Sequence, residues 1–216
     1  MKKHIIASLL IGATILPALQ GCVTVVAAGV TAGAMAAFDR RTVGTQTEDE
    51  SIEWKASAQV SEKLDDKSHL NFTSFNHKVL ITGEVSTEEA KAEAEAIVAS
   101  INNVQGVYNE LVVGPAASFS ERSNDSYITS KVKGNFVDSG KFNAIHVKVV
   151  TEAGVVFLLG MVTQPEADAA IRAASYTRGA KKVVNLLEII TPAKARELDV
   201  TQENGGKQQT AEVRKP

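Results

Sequence analysis

The chain has little of what a catalytic or metal site requires. It contains a single cysteine in 216 residues, so no disulfide can form within it. Its histidines stand at no metal-ligand spacing with one another, with the cysteine or with a carboxylate. No glycine-rich phosphate loop opens a helix, and no Gly-x-Ser-x-Gly motif occurs. We therefore predict a protein that is not an enzyme and that holds no metal or cofactor. The histidines are His4, His69, His77 and His146.

The one cysteine, Cys22, ends an N-terminal export pattern. Two lysines precede an apolar run over residues 5–15, and the sequence Leu-Gln-Gly-Cys follows. This ending resembles the lipobox of bacterial lipoproteins, which implies a signal peptide over residues 1–21, cleavage before Cys22 and acylation of that cysteine. A lipid would then hold the chain at a membrane without a span. The alternative is a transmembrane helix, because residues 5–38 are almost all apolar.

A linker is predicted to follow the acylated cysteine over residues 22–46. By the same resemblance, Val23 in place of an aspartate implies passage to the outer membrane. Arg40 and Arg41 end the apolar character of the linker, and basic residues near a bilayer gain about 1 kcal/mol each from anionic head groups. An ordinary polar linker is the alternative for these two arginines.

An internal repeat covers most of the remaining chain. A motif of apolar residues at helical spacing begins at Asp49 and returns 76 residues later at Asp125. A strand pattern that ends in Gly83 returns 77 residues later at Gly160. We expect each glycine to adopt a positive φ or to permit a close backbone approach, which is a structural role.

Each copy has the predicted order α-β-β-α-β. Apolar residues at i, i+4 and i+8 predict the first helix, and two segments of alternating polarity predict half-buried strands. A capping box at Ser86 or Thr163 predicts the start of the second helix, and a last strand closes the unit. We place the domains at residues 47–113 and 124–190, joined by a linker over residues 114–123 and followed by a disordered tail over residues 191–216.

These motifs resemble the BON domain, in which the central strand ends in Gly-x-Val-[Ser/Thr] and the last strand carries Val-x-Asn-x-Leu. Two copies behind a lipobox resemble the DolP family of outer-membrane lipoproteins. The resemblance implies an α+β fold of two tandem BON domains, each with a small three-stranded mixed sheet covered by two helices. It also implies a lipid-anchored protein that faces the periplasm, with links to outer-membrane assembly machinery and to cell-division sites.

The two copies differ in charge. Residues 47–113 contain 13 acidic residues and 5 lysines, a net charge near −8, whereas residues 124–190 contain 6 acidic and 8 basic residues, near +2. An anionic bilayer repels an acidic module and tolerates or attracts a basic one. The second copy is therefore the predicted lipid-binding module.

The first helix of the second copy carries the candidate lipid-binding residues. Tyr127, Ser130, Lys131 and Gly134 share one face by helical spacing, and tyrosine favours the bilayer interface. Lys131 and Lys133 can meet phosphate oxygens, and Gly134 permits a close approach. The family resemblance implies binding of anionic phospholipid, notably phosphatidylglycerol, through this helix, with tryptophan where this chain has Tyr127. The alternative is a surface aromatic that packs on the linker.

Two other aromatic residues lead to predictions about the contact between the domains. Trp54, the only tryptophan, lies among carboxylates on the first helix, and we expect it to be half-buried where the domains meet; a membrane contact is the alternative. Phe119 is predicted to pack between the domains.

The predicted function is that of an outer-membrane lipoprotein that binds an anionic phospholipid membrane and helps maintain outer-membrane integrity. The alternatives are a periplasmic chaperone for unfolded outer-membrane proteins and a protein scaffold for outer-membrane assembly. No nucleic-acid partner is expected, and the oligomeric state stays open.

Overall fold

The computed structural model describes residues 39–64 and 68–201. The predictions for the signal peptide over residues 1–21, for Cys22 and for most of the following linker lie outside these residues. Among the helices in the described ranges, none combines the length and the apolar composition needed to cross a bilayer.

The first domain has the predicted order, with its last strand in two short pieces. Strand β1 pairs antiparallel with β2, and both β3 and β4 pair parallel with β2, so the sheet is mixed. The elements are α1 (Val43–Ser61), β1 (His69–Phe75), β2 (Lys78–Val85), α2 (Glu88–Ala99), β3 (Gly106–Asn109) and β4 (Val112–Val113).

The second domain repeats this topology. Strand β5 pairs antiparallel with β6, and β6 pairs parallel with β7. The repeated α-β-β-α-β order confirms the predicted fold class. The elements are α3 (Phe119–Ser139), a 3₁₀ turn (Ala144–His146), β5 (Val147–Glu152), β6 (Val155–Val162), α4 (Gln164–Ser175) and β7 (Lys182–Ile189).

Helical spacing places one apolar face of α1 and of α3 against the sheet. Ile52, Ala56 and Val60 of α1 are buried against β2, as the spacing i, i+4, i+8 predicts. In the second domain, α3 is buried against β6 in the same way. Each fully buried large apolar side chain contributes roughly 1.5–3 kcal/mol, so these faces fix the orientation of both helices. The α3 residues are Ile128, Val132 and Phe136.

A buried aspartate of α1 holds the β1–β2 turn. Asp49 accepts hydrogen bonds from Ser74 Oγ at 2.6 Å and from the amides of Asn76 and His77 at 2.8 Å each. Burial alone would raise the pKa of Asp49, but these bonds and the Arg41 guanidinium outweigh it and hold the pKa below its usual value. The carboxylate therefore ties the helix to the turn.

Asp125 of α3 performs the same task at the β5–β6 turn. Its carboxylate accepts hydrogen bonds from the backbone amides of Ala153 and Gly154, each at 2.8 Å. These two residues have φ values of 51° and 81°, and a two-residue hairpin turn of this kind needs positive φ at both positions. The aspartate bonds help to hold a non-glycine residue in that conformation.

The two central-strand glycines lie where a side chain has no room. At Gly83, whose φ is 115°, an added Cβ would overlap the carbonyl oxygen of His69. At Gly160, an added Cβ would overlap the carbonyl oxygen of His146. Both positions permit a close approach of the neighbouring strand, and Gly83 also has a positive φ.

The two sheets pack against each other through their helix-free faces. Phe75 and Leu80 of the first domain form one buried cluster with Phe157 and Leu159 of the second. Because side chains alternate along β2 and β6, the neighbouring residues of these strands face the helices instead. The result is four layers, in which the two sheets lie in the middle, α1 and α2 cover the outer face of one sheet, and α3 and α4 cover the outer face of the other.

Polar contacts surround this apolar interface. Asn71 Nδ2 donates to Glu152 Oε2 at 2.9 Å, and Lys148 Nζ lies 3.0 Å from Glu53 Oε1. Glu152 is buried at the contact, and burial raises its pKa despite the hydrogen bond from Asn71. The contact between the domains therefore includes a buried carboxyl group, and a hydrogen bond from the other domain offsets part of the free energy of its desolvation.

The predicted linker over residues 114–123 and the predicted disordered tail over residues 191–216 both need correction. Residues 114–123 are not all linker, because α3 begins at Phe119 with Ser118 as its N-cap. Residues 191–216 are not all disordered, because residues 192–201 form a further helix, named α5 here. Ala195 of α5 is buried, so this helix packs on the domain.

Two helix starts can be compared with their predicted capping boxes. The Thr163 box is present, since Glu166 Oε2 accepts from the Thr163 amide at 2.7 Å. The capping box predicted at Ser86 is wrong, because the N-cap of α2 is the next residue, Thr87, whose side chain accepts a hydrogen bond from the Ala90 amide.

Candidate functional site

Helix α3 presents Tyr127 on its outer face. The buried face of the helix carries Asp125 and three apolar residues, and Tyr127 is 63% exposed on the other side. A capping box between Ser118 and Glu121 starts the helix, and Gly140 in the left-handed conformation ends it. The sequence thus fixes a regular helix that holds an aromatic ring in solvent.

Lys131 lies beside the tyrosine ring. Its Nζ atom is 5.2 Å from the centroid of the Tyr127 ring, within the range of a cation–π interaction. The same atom donates to the carbonyl oxygen of Arg178 at 2.6 Å. Ser130 is exposed, but its hydroxyl donates to the Ser126 carbonyl of its own helix at 2.9 Å. The ring and the ammonium group therefore form one preorganised pair.

Gly134 and Lys133 differ in their relation to Tyr127. At 100° per residue, Gly134 lies about 20° around the helix from Tyr127, whereas Lys133 lies about 120° away. An added Cβ at Gly134 would meet nothing within 4 Å, so no internal contact requires glycine there. A glycine in an exposed helix costs about 1 kcal/mol relative to alanine, and packing within the chain does not explain that cost.

Two further apolar side chains of α3 are exposed, and our sequence reasoning placed neither of them on this surface. Phe119 and Val137 lie at the two ends of the helix on the outer side. The expectation that Phe119 packs between the domains is wrong, since it lies at the first turn of an outer helix with most of its surface in solvent. Residues five helical turns apart lie on the same side of a helix, so the spacing of Phe119 and Val137 could have shown that they share one side of α3.

Arg40 does not face a bilayer. It is 4% exposed, and its guanidinium donates to Glu166 Oε2 at 2.8 Å, to Asp199 Oδ1 at 2.9 Å and to the Met161 carbonyl at 2.9 Å. Burial opposes ionisation of Glu166, but the bonds from Arg40 and Thr163 outweigh it and lower the pKa of Glu166 to about 2. The arginine joins the segment before α1 to α4 and α5.

Arg41 is also used within the fold. Its guanidinium lies 4.0 Å from the centroid of the Phe75 ring, and it donates to Asp49 Oδ2 at 2.7 Å and to Asp39 Oδ2 at 2.6 Å. The expectation that these two arginines contact anionic head groups is therefore wrong, because their charges are neutralised inside the protein.

The first helix of the first domain, α1, also carries an exposed aromatic residue, Trp54. It is 78% exposed on the outer side of α1, so the expectation of a half-buried residue at the domain contact is wrong. The apolar contact between the domains lies between their sheets, and α1 packs on the opposite face of its own sheet. Glu53 of α1 reaches the second domain through its ion pair with Lys148, but Trp54 points to solvent.

The part of the chain in the described ranges contains no cluster of three or more metal-ligating side chains. The candidate site on α3 is a surface formed by the Tyr127 ring, the Lys131 ammonium group and the bare backbone at Gly134.

Comparisons with known proteins show the family. The BON domain family matches residues 49–115 and 124–191. The chain is 41% identical over 185 residues to the outer membrane lipoprotein DolP of Haemophilus influenzae, which covers 85% of this chain and 95% of that protein. It is 33% identical over 154 residues to a 21 kDa hemolysin of Actinobacillus pleuropneumoniae, which covers 70% of this chain and 79% of that protein.

Among solved structures, CdsD, a structural protein of the type III secretion system of Chlamydia trachomatis, is 13% identical. The match covers 69% of this chain and 97% of that chain with a TM-score of 0.29, too low to support any statement about this chain. The two family matches and the similarity over most of the chain agree with the repeated fold. The chain therefore belongs to the BON domain family, as a member with two BON domains of the DolP type.

Proposed function

We propose that this protein is a lipid-anchored outer-membrane protein that binds anionic phospholipid, notably phosphatidylglycerol, through α3 and so helps maintain the outer membrane. Two facts support the location. The similar protein of Haemophilus influenzae is named an outer membrane lipoprotein, and the motif at Cys22 resembles a lipobox.

The observation that carries the lipid-binding proposal is the pair of exposed Tyr127 and half-buried Lys131 beside the bare backbone at Gly134. A tyrosine ring enters the region of the head groups, and a neighbouring ammonium group pairs with phosphate. The absence of a side chain at Gly134 lets the helix lie closer to the surface. The cost of this glycine is then offset by the contact it permits.

The expected energies explain why a lipid anchor is needed as well. Burial of the Tyr127 ring contributes about 2 kcal/mol. Lys131 contributes about 1 kcal/mol near an anionic surface, and Lys133, about 120° around the helix from Tyr127, contributes less. A total of about 3–4 kcal/mol corresponds to a dissociation constant of about 1–6 mM, so α3 alone binds weakly. A tether raises the local concentration of α3 at the membrane and makes weak binding sufficient.

The test uses a soluble form that begins after Cys22, which keeps every described residue. NMR titration with phosphatidylglycerol vesicles should perturb signals between residues 125 and 136, and neutral vesicles should not. Tyr127→Glu should reduce the affinity by about 30-fold or more, because it removes the ring's contribution of about 2 kcal/mol and adds a negative charge.

Ile189→Glu is the matched control, because Ile189 is 47% exposed in the same domain but lies at the end of β7, paired with Val162 and away from the β5–β6 turn that α3 contacts. Equal losses for the two variants would show that the charge of the domain, and not the α3 surface, determines binding. Saturable binding of unfolded porins without vesicle binding would instead support the chaperone alternative.

A further inference from the structure

The outer face of α1 has an exposed aromatic residue that the proposed lipid contact does not use. The positions one turn before and after Trp54 are Glu50, Ser51, Ser57 and Ala58, so only one of them carries a long side chain. Small neighbours leave the indole ring standing clear of the helix surface. Tryptophan in such a position is enriched among the residues that dominate binding energies at protein interfaces.

The layer order of the fold separates Trp54 from Tyr127. The sheets pack face to face, so α1 and α3 lie on opposite outsides of the pair of domains. A flat bilayer in contact with Tyr127 therefore does not reach Trp54. This orientation rests on the proposed function, but the chemistry of the Trp54 surface does not.

The charge around Trp54 indicates the chemistry of its partner. Helices α1 and α2 form the outer layer of a domain with a net charge near −8, and exposed carboxylates outnumber the lysines of these helices. An anionic membrane is repelled by such a surface, and a basic partner is attracted. The exposed carboxylates on and just after these helices include Glu50, Glu62, Glu88, Glu89, Glu93 and Glu95.

We propose that the outer face of the first domain, centred on Trp54, docks an arginine- or lysine-rich segment of a partner protein. A guanidinium group stacks on the indole ring, and neighbouring cations pair with Glu50 and the carboxylates of α2. The protein then holds a lipid surface on one side and a basic protein segment on the other.

The chain is well suited to a test, because its only tryptophan lies in the proposed site. The whole acylated chain is placed in neutral phosphatidylcholine nanodiscs and titrated with two helical peptides of equal length, one of alternating arginine and alanine and one of alternating glutamate and alanine. The arginine peptide should bind and shift the Trp54 emission to the blue, and the glutamate peptide should do neither.

Variants measure the contribution of each group to binding of a labelled arginine peptide. Trp54→Ala should weaken binding by about tenfold or more, as truncation of an interface tryptophan does. Glu50→Lys should weaken it further when combined with Trp54→Ala, and Tyr176→Ala, which removes an equally exposed ring from the other domain, should have no effect.

Any one of five results would overturn the proposal. Equal binding of both peptides, or no binding of the arginine peptide at low salt, would show that the surface does not select a basic partner. Unchanged peptide affinity in Trp54→Ala would show that the indole ring is not part of the binding site. A blue shift on changing the nanodisc lipid to phosphatidylglycerol, or one that depends on protein concentration, would assign the surface to a membrane or to a second copy. Failure of the Tyr127 experiment alone would leave each of these readouts unaffected.

Discussion

The Arg40 ion cluster gives the most quantitative prediction. In Arg40→Met the aliphatic stem is kept, but Glu166 and Asp199 lose the guanidinium that pairs them. Removal of one partner from a buried ion pair costs about 3–5 kcal/mol when the other charge stays unsolvated.

Two features of the site reduce this cost. Glu166 keeps its bonds from the amide and hydroxyl of Thr163, at 2.7 and 2.9 Å, and the Asp199 side chain is 42% exposed to water. A fall in the pKa of Glu166 from 4.5 to about 2 corresponds to at most about 3 kcal/mol, which Thr163 and Arg40 share. We therefore expect Arg40→Met to lower the free energy of unfolding by about 2 kcal/mol at pH 7.

The pH dependence of this loss distinguishes the ion pair from simple packing. The pKa of Glu166 is lower in the folded state than in the unfolded state, so its stabilising contribution is complete above about pH 4.5 and disappears as the pH falls toward 2. The difference between wild type and Arg40→Met should therefore shrink across that window.

Urea unfolding followed by circular dichroism at pH 7, 4 and 2.5 measures the difference. Arg172→Met is the control, because Arg172 is exposed on α4. A gap between wild type and Arg40→Met that stays constant from pH 7 to 2.5 would refute the electrostatic explanation and leave only lost packing.

Four further predictions concern other parts of the chain. Gly83→Ala should destabilise the first domain by about 3 kcal/mol or prevent its folding, because the new Cβ overlaps a strand carbonyl at positive φ; Gly134→Ala should instead raise the free energy of unfolding by about 1 kcal/mol while weakening vesicle binding, and urea titration with vesicle co-sedimentation measures both. Asp49→Asn should lower the free energy of unfolding by about 2 kcal/mol, since an amide replaces a charged acceptor of four short hydrogen bonds; the same loss at pH 2 and pH 7 would contradict this. Cys22→Ala should move the protein from the membrane fraction to the soluble fraction on cell fractionation, and its retention in the outer membrane would contradict a lipid anchor.

The sequence contained enough information for the order of the elements but not for all of their surroundings. The helix faces followed from the spacing of Ile128, Val132 and Phe136, because a single face of a helix decides what is buried. The continuous apolar run at Val79 and Leu80 indicates a strand covered on both faces, yet we interpreted it as half-buried. The packing of one sheet on the other was missed for that reason.

The exposed aromatics and α5 show a second limit of sequence reasoning. Whether Trp54 is covered depends on which face of its domain meets the neighbour, and no local pattern contains that information. For α5, Thr191 followed by Pro192 was a start signal that the polar composition of the tail obscured. Its stability depends on Asp199 meeting Arg40, a contact between residues 159 positions apart.

The shared sheet interface has a consequence for experiments that divide the protein. Either domain produced alone would expose an apolar sheet surface, with Phe75 and Leu80 in one case and Phe157 and Leu159 in the other. Patches of this kind cause self-association in water. Deletion of one domain would therefore leave a fragment that aggregates, and its loss of activity would say little about the role of the deleted domain. Single-residue changes in the intact protein are the better way to assign a role to each domain.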